Sequence, residues 1–180
     1  MTVYIALIRG INVGGHNRIK MKELKDLLST NGLEQVTTYI QSGNIVFRSD
    51  EKAETVQQLI EQEIQNFYGF SVTVMVRAAL EWEQIIHHCP YPANALAEGE
   101  SVHLALLKAA FTEEKMNALL AYQSGTEVCH IHEKVVYVYL RQSFHKSKLA
   151  IQLQKIGNPT TVRNWKTVMK LEMMAQAMQE

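Results

Sequence analysis

The sequence predicts an α+β fold: two tandem ferredoxin-like (β-α-β-β-α-β) repeats packed together, with an extra C-terminal helix. Three observations carry that prediction. Two near-continuous apolar runs, at 3–8 and 102–107, have the pattern of strands covered on both faces. Each run is followed by the same succession of helical and alternating segments. Between the two series lies Cys89-Pro-Tyr-Pro-Ala-Asn-Ala, a proline-rich stretch with the composition of a boundary. Residues 1–88 are thus expected to form the first repeat with a bridging helix, and 89–180 the second with the terminal helix.

Each element follows from its residues. After the first strand, Met21, Leu24, Leu27 and Leu28 recur at helical spacing, and Gly32 suits the position just past the helix end. Residues 35–41 and 44–48 read as two strands around Ser42-Gly43, where glycine can take positive φ. Ser49 or Asp50 is the expected cap of a helix that turns Val56, Leu59, Ile60, Ile64 and Phe67 to one face and ends at Gly69. Val72, Val74 and Val76 alternate along the last strand of the first repeat, and 78–88 is helix-like.

The second series runs in parallel. Thr112 is placed to cap a helix with Glu113 and Glu114 in its first turn and Met116, Leu119 and Leu120 facing inward. Strands at 127–132 and 135–140 form a second hairpin. Leu149, Leu153 and Ile156 mark a helix closed by Gly157. Thr160 opens a short strand, and Trp165, Val168, Met169, Leu171, Ala175 and Met178 line the apolar side of the last helix. No letter-by-letter repeat accompanies this order of elements.

Composition excludes several classes. With 18 basic and 18 acidic residues the formal net charge is zero, which argues against coating nucleic acid or an anionic membrane by bulk electrostatics. Cys89 and Cys129 are too few for a disulfide framework, the chain opens directly on a strand-like run, and no apolar run approaches the ~18 residues a bilayer span needs. The expectation is a cytoplasmic protein with no membrane association and nucleic acid disfavoured as partner.

Against that neutral background, the stretch 9–22 is distinctive. It contains Gly10, Gly14 and Gly15 together with Arg9, His16, Arg18, Lys20 and Lys22, and no acidic residue precedes Glu23. A glycine-rich turn with local positive charge between a strand and a helix suits an anion. It is not a P-loop, because His16-Asn17 stands where lysine and a hydroxyl are required, and the dinucleotide pattern G-x-G-x-x-G is missing. The plainer account is tight turns flanked by solvated charge.

Several separated motifs resemble the bacterial family catalogued as domain of unknown function 1697. They are Arg9-Gly-Ile-Asn-Val-Gly-Gly, Tyr39-Ile-Gln-Ser-Gly-Asn-Ile-Val-Phe47, Ser147-Lys-Leu149, and Arg163-Asn-Trp165 followed by Thr167-Val168. The resemblance spans nearly the whole chain and implies two ferredoxin-like repeats. It implies no activity. Val162 stands where the family generally has threonine, and Lys166 where it has asparagine.

The candidate ligand-binding set is therefore Arg9, Gly10, Asn12, Gly14, Gly15, Arg18 and Lys20, with Gln41, Ser42 and Asn44 at the hairpin and Arg163, Asn164 and Trp165 at the last helix. Gln41, Ser42 and Asn44 also have a turn-forming reading, and Asn164 has one as a helix cap. Burial of Trp165 would favour the structural reading. His130 and His132 share a strand face beside Cys129, but C-x-x-C and H-E-x-x-H pairs are missing, so no metal site is expected. No G-x-S-x-G elbow and no activated cysteine are present, no catalytic residue is identified, and no cofactor is called for.

Three functions fit. The first is binding of a small anionic or nucleotide-like ligand at the glycine-rich basic loop. The second is RNA binding on an exposed sheet face, with Tyr4 and Phe47 as stacking aromatics, although the basic start and aromatic pair of the RNA-binding signature are missing. The third is a protein–protein interaction or homo-oligomeric module without catalytic activity.

Overall fold

The computed structural model describes residues 1–180. The strands are β1 (Thr2–Arg9), β2 (Glu34–Tyr39), β3 (Asn44–Ser49), β4 (Thr73–Ala78), β5 (Ser101–Leu107), β6 (Glu127–His132), β7 (Val135–Leu140) and β8 (Thr160–Asn164). The helices are α1 (Met21–Thr30), α2 (Ala53–Tyr68), α3 (Ala79–His87), α4 (Glu113–Leu120), α5 (Lys148–Lys155) and α6 (Trp165–Gln179). Two four-stranded antiparallel sheets form, in the orders β2-β3-β1-β4 and β6-β7-β5-β8, so the β-α-β-β-α-β order occurs twice, as expected. No helix is long and apolar enough to cross a membrane.

The chain divides into one unit of Met1–Gln84 with Met169–Glu180, and a second of Ile85–Val168. The end of α6 groups with the first unit. In the first unit, Ala6, Ile8, Ile45, Phe47, Val74 and Val76 meet Leu24, Leu28, Val56, Ile60 and Ile64 from α1 and α2. In the second, Ala105, Leu107, Val136 and Val138 meet Leu119, Leu149 and Leu153. The central strands β1 and β5 are buried along nearly their whole lengths, which is why both read as continuous apolar runs.

The ends of the helices show how locally the sequence acts. After α1, Gly32 takes φ +99°, the Leu33 amide donates to the Leu28 carbonyl and the Gly32 amide to that of Ser29, a full Schellman closure with Leu28 and Leu33 both buried. Thr112 caps α4 by accepting from the Lys115 amide. The cap expected at Ser49 or Asp50 does not form. Lys52 occupies that position without a side-chain bond, while Ser49 is still the last residue of β3, its hydroxyl accepting from the Glu51 amide. Phe67 and Leu120, expected inward, are exposed, and each lies in the last turn of its helix.

The central strand and its two neighbours keep the same register in both units, while β2 carries a bulge against β3 that β6 lacks against β7. Ile5 lies between Val46 and Arg77, and Leu104 lies between Tyr137 and Arg163. The Arg77 guanidinium donates to the Val76 carbonyl at 2.9 Å and that of Arg163 to Val162 at 2.9 Å. A helix follows each arginine almost at once, so α3 and the extra C-terminal helix α6 occupy corresponding places after the last strand of each repeat. The sequence traces of this equivalence are short: the shared Val-Arg pair, and Ala6-Leu7 against Ala105-Leu106 on the central strands.

Side chains of α2, α3 and β4 itself occupy backbone groups along the free edge of β4. The Val74 amide donates to Glu61 Oε1 at 3.0 Å, the Ala78 amide to Glu81 Oε2 at 3.2 Å, and the Val76 carbonyl accepts from Arg77. Occupied groups are poor templates for another strand, so these bonds disfavour chain-to-chain pairing at this edge.

In the second unit His103 is enclosed, with Nε2 3.0 Å from the Ser101 hydroxyl and the Phe144 ring 4.6 Å away. Burial pushes its pKa down to about 4 from 6.5. Above pH 6.5 the imidazole is neutral folded or unfolded and its contribution is complete. As pH falls from 6.5 to about 4, the unfolded chain takes up a proton the folded chain refuses, so stability declines. The loss specific to His103 is expected to be about 2 kcal/mol after discounting for partial solvent access. Urea unfolding at pH 7.5 and 4.5 checks it: His103→Asn should flatten the pH dependence, and an unchanged slope would assign acid sensitivity elsewhere.

Candidate functional site

The first unit carries a cleft of about 780 Å³ lined by Asn12, Gly15, Arg18, Ile19, Lys20, Met21, Lys22, Glu23, Gln41 and Tyr68. Its walls begin with the glycine-rich stretch, which folds as a miniature hairpin. The His16 amide donates to the Val13 carbonyl and the Asn12 amide to that of Asn17, with Gly14 at φ +58° and Gly15 at φ +77° as the turn residues. Both central residues have positive φ, a type I′ pattern that makes Gly-Gly the natural sequence there. Asn12 then straps the loop down. Its Nδ2 donates to the Ile19 carbonyl at 3.0 Å and the Gln41 carbonyl at 2.7 Å, and its Oδ1 accepts from the Ile19 amide at 2.8 Å. That amide group is therefore spent on holding the β2–β3 turn beside the start of α1.

The turn itself is longer than expected. β2 ends at Tyr39, and Ile40 takes φ +48°, a left-handed conformation that is a true outlier for a β-branched residue. Asn44 is fully buried and donates to the Tyr39 carbonyl at 3.0 Å and to the Ser42 hydroxyl at 2.8 Å. Ser42 and Asn44 are thus turn-builders, while Gln41 reaches the cleft.

Charge in the cleft is uneven. Arg18, Lys20 and Lys22 line it against the single carboxylate of Glu23. The α1 N-terminus opens here with Lys20 as its N-cap and no side-chain cap bond, so amide donors of the first turn add to the positive field. At the far wall the Tyr68 hydroxyl is shielded from solvent and makes no hydrogen bond of standard geometry. Burial first, then the neighbouring Glu23 carboxylate, pushes its pKa up to about 12, so the phenol stays protonated.

Of the expected residues, Asn12, Gly15, Arg18, Lys20 and Gln41 line the cleft. Arg9, Gly10 and Gly14 do not, nor do Ser42 and Asn44. Arg163, Asn164 and Trp165 belong to the second unit and serve the fold there. Asn164 Oδ1 accepts from the Thr167 amide at 2.9 Å as the N-cap of α6, and Trp165 is buried. Arg163 is largely buried, which lowers its pKa to about 10. The candidate set omitted Ile19, Met21, Lys22, Glu23 and Tyr68, which also line the cleft. Glu23 closes the basic stretch and was legible as its first acidic residue, whereas Tyr68 arrives from the end of α2 with no local signal.

The remaining reactive groups gather no site. His130 and His132 are exposed on β6, His88 stacks on His132 at 5.8 Å, and no three metal-ligating side chains converge. Burial raises the Cys129 thiol to about 11 and also raises Cys89, so neither favours the nucleophilic thiolate. Tyr4 and Phe47, the aromatics required for stacking RNA on the sheet, are buried in the first core.

The fold and cleft define a double ferredoxin-like protein with a basic cleft in its first repeat. The chain belongs to the family described as "Protein of unknown function (DUF1697)", which matches residues 1–137. The Ser147-Lys-Leu149 and Arg163-Asn-Trp165 motifs lie beyond that match. Among solved structures, a conserved bacterial protein from Streptococcus pneumoniae is similar, with 27% identity, coverage of 97% of this chain and 98% of that one, and a TM-score of 0.78. No curated protein matches.

Proposed function

We propose that the protein binds a small anionic ligand in the cleft of its first unit. The observation that carries this reading is the convergence of Arg18, Lys20 and Lys22 on one cavity in a chain of zero net charge. A volume of about 780 Å³ suits a nucleotide-sized molecule. A net excess of two positive charges among the lining residues matches a phosphate monoester, which carries about −1.5 to −2 at neutral pH. The apolar surfaces of Ile19, Met21 and Tyr68 provide the remaining wall.

Thermal unfolding against a panel of phosphate monoesters, carboxylates and nucleotides tests the reading. A ligand at 100 times its dissociation constant stabilises by about 2.7 kcal/mol, a readily measured shift. Arg18→Ala should weaken any hit by roughly tenfold or more, because a charge-assisted contact is lost. Hits that are indifferent to Arg18→Ala and Lys20→Ala would place binding elsewhere and overturn the assignment.

A further inference from the structure

Within the cleft proposed above, one side chain runs against the prevailing charge. Glu23 is exposed, lies in the first turn of α1 and lines the cavity beside three cations. It forms no salt bridge with them and no bond that closes the helix start, although an acidic residue three positions after the N-cap commonly does so. Tyr68 stands at the same wall, its ring held by the Phe67 ring at 4.8 Å and the Phe70 ring at 6.0 Å. Tyr68 and Glu23 are neighbours on this wall, close enough for the carboxylate charge to bear on the phenol.

We propose that Glu23 is the hydrogen-bond acceptor by which the cleft selects hydroxyl-bearing phosphate monoesters, sugar phosphates and nucleoside phosphates, and that Tyr68 is its positioning residue. The inference rests on anion binding in this cleft. A carboxylate among cations repels a bare anion, so its presence weakens binding of simple phosphate. The same carboxylate accepts strongly from a hydroxyl, and a site built to bond a hydroxyl discriminates against an analogue that lacks it. The cationic side chains then hold the phosphate while Glu23 reads the rest of the molecule.

The experiment compares ribose 5-phosphate with methyl phosphate, which carries the same charged group without sugar hydroxyls, by calorimetric titration. The native protein should prefer ribose 5-phosphate by roughly tenfold or more. Glu23→Ala should abolish that preference while leaving methyl phosphate affinity equal or higher, which also shows that the variant is folded. Tyr68→Phe should reduce the ratio of the two affinities without lowering the unfolding midpoint, a result that a purely structural role would not produce. Equal binding of both probes to the native protein overturns the role of Glu23 and leaves the anion site standing. Binding of neither at millimolar concentration overturns the anion site itself. A preference that survives Glu23→Ala assigns hydroxyl recognition to another wall.

Discussion

Gly43→Ala is expected to destabilise the first unit by about 3 kcal/mol, combining left-handed backbone strain with overpacking. Gly43 sits at φ +90°, and a Cβ there would stand 3.0 Å from Ile8 Cβ, the Ile8 carbonyl oxygen and Ile11 Cδ1. Two of those atoms belong to the backbone or its first side-chain carbon on β1, so they cannot swing aside. The Gly43 carbonyl also accepts from the Ile8 amide at 2.8 Å, which fixes the turn against the strand end. Gly32→Ala supplies the control. Its φ is +99° but nothing lies within 4 Å of the added carbon, so strain alone should cost about 1 kcal/mol. Urea unfolding midpoints of the two variants separate the terms. Equal losses would mean that the contacts around Gly43 relax without cost.

The same glycine shows how much the sequence disclosed. A turn at Ser42-Gly43 and the need for positive φ there were legible, because local backbone preference determines both. The close approach to Ile8 was not, since it depends on β3 pairing with β1 across a long sequence separation. The cleft divides along that line. Its basic residues lie in one stretch and announced themselves as a departure from the chain's neutrality, whereas Tyr68 is recruited through the packing of α2 on the sheet. Arg163 is the converse case. An arginine near a helix start has the local look of an anion site, but its guanidinium is buried and bonded to Val162, and burial follows from tertiary structure alone. The equivalence of Arg77 and Arg163 likewise emerged from register, because the fold preserves positions while almost every letter has changed.

Ser147→Ala is expected to cost about 3 kcal/mol, well above the ~1 kcal/mol typical of a helix cap. The Ser147 hydroxyl performs two tasks in a fully buried setting. It accepts from the Ala150 amide at 3.0 Å as the N-cap of α5, and it donates to Glu127 Oε2. Glu127 is itself buried, and the same oxygen accepts from the Leu149 amide at 3.2 Å. This arrangement explains the Ser147-Lys-Leu149 motif structurally: serine, the helix start and a buried carboxyl group on β6 form one unit. Removing the hydroxyl leaves both the Ala150 amide and the Glu127 oxygen short of a partner where water does not reach, and orphaned buried groups carry the full desolvation penalty. Thr112→Ala removes the cap of α4 at an exposed position and should cost only about 1 kcal/mol. Adding Glu127→Gln to Ser147→Ala discriminates the two causes. If the orphaned carboxyl group dominates, the double variant recovers part of the loss, and the pair is strongly non-additive in denaturant unfolding. If the two losses simply add, the helix cap is the whole effect, and Glu127 contributes through Leu149 alone.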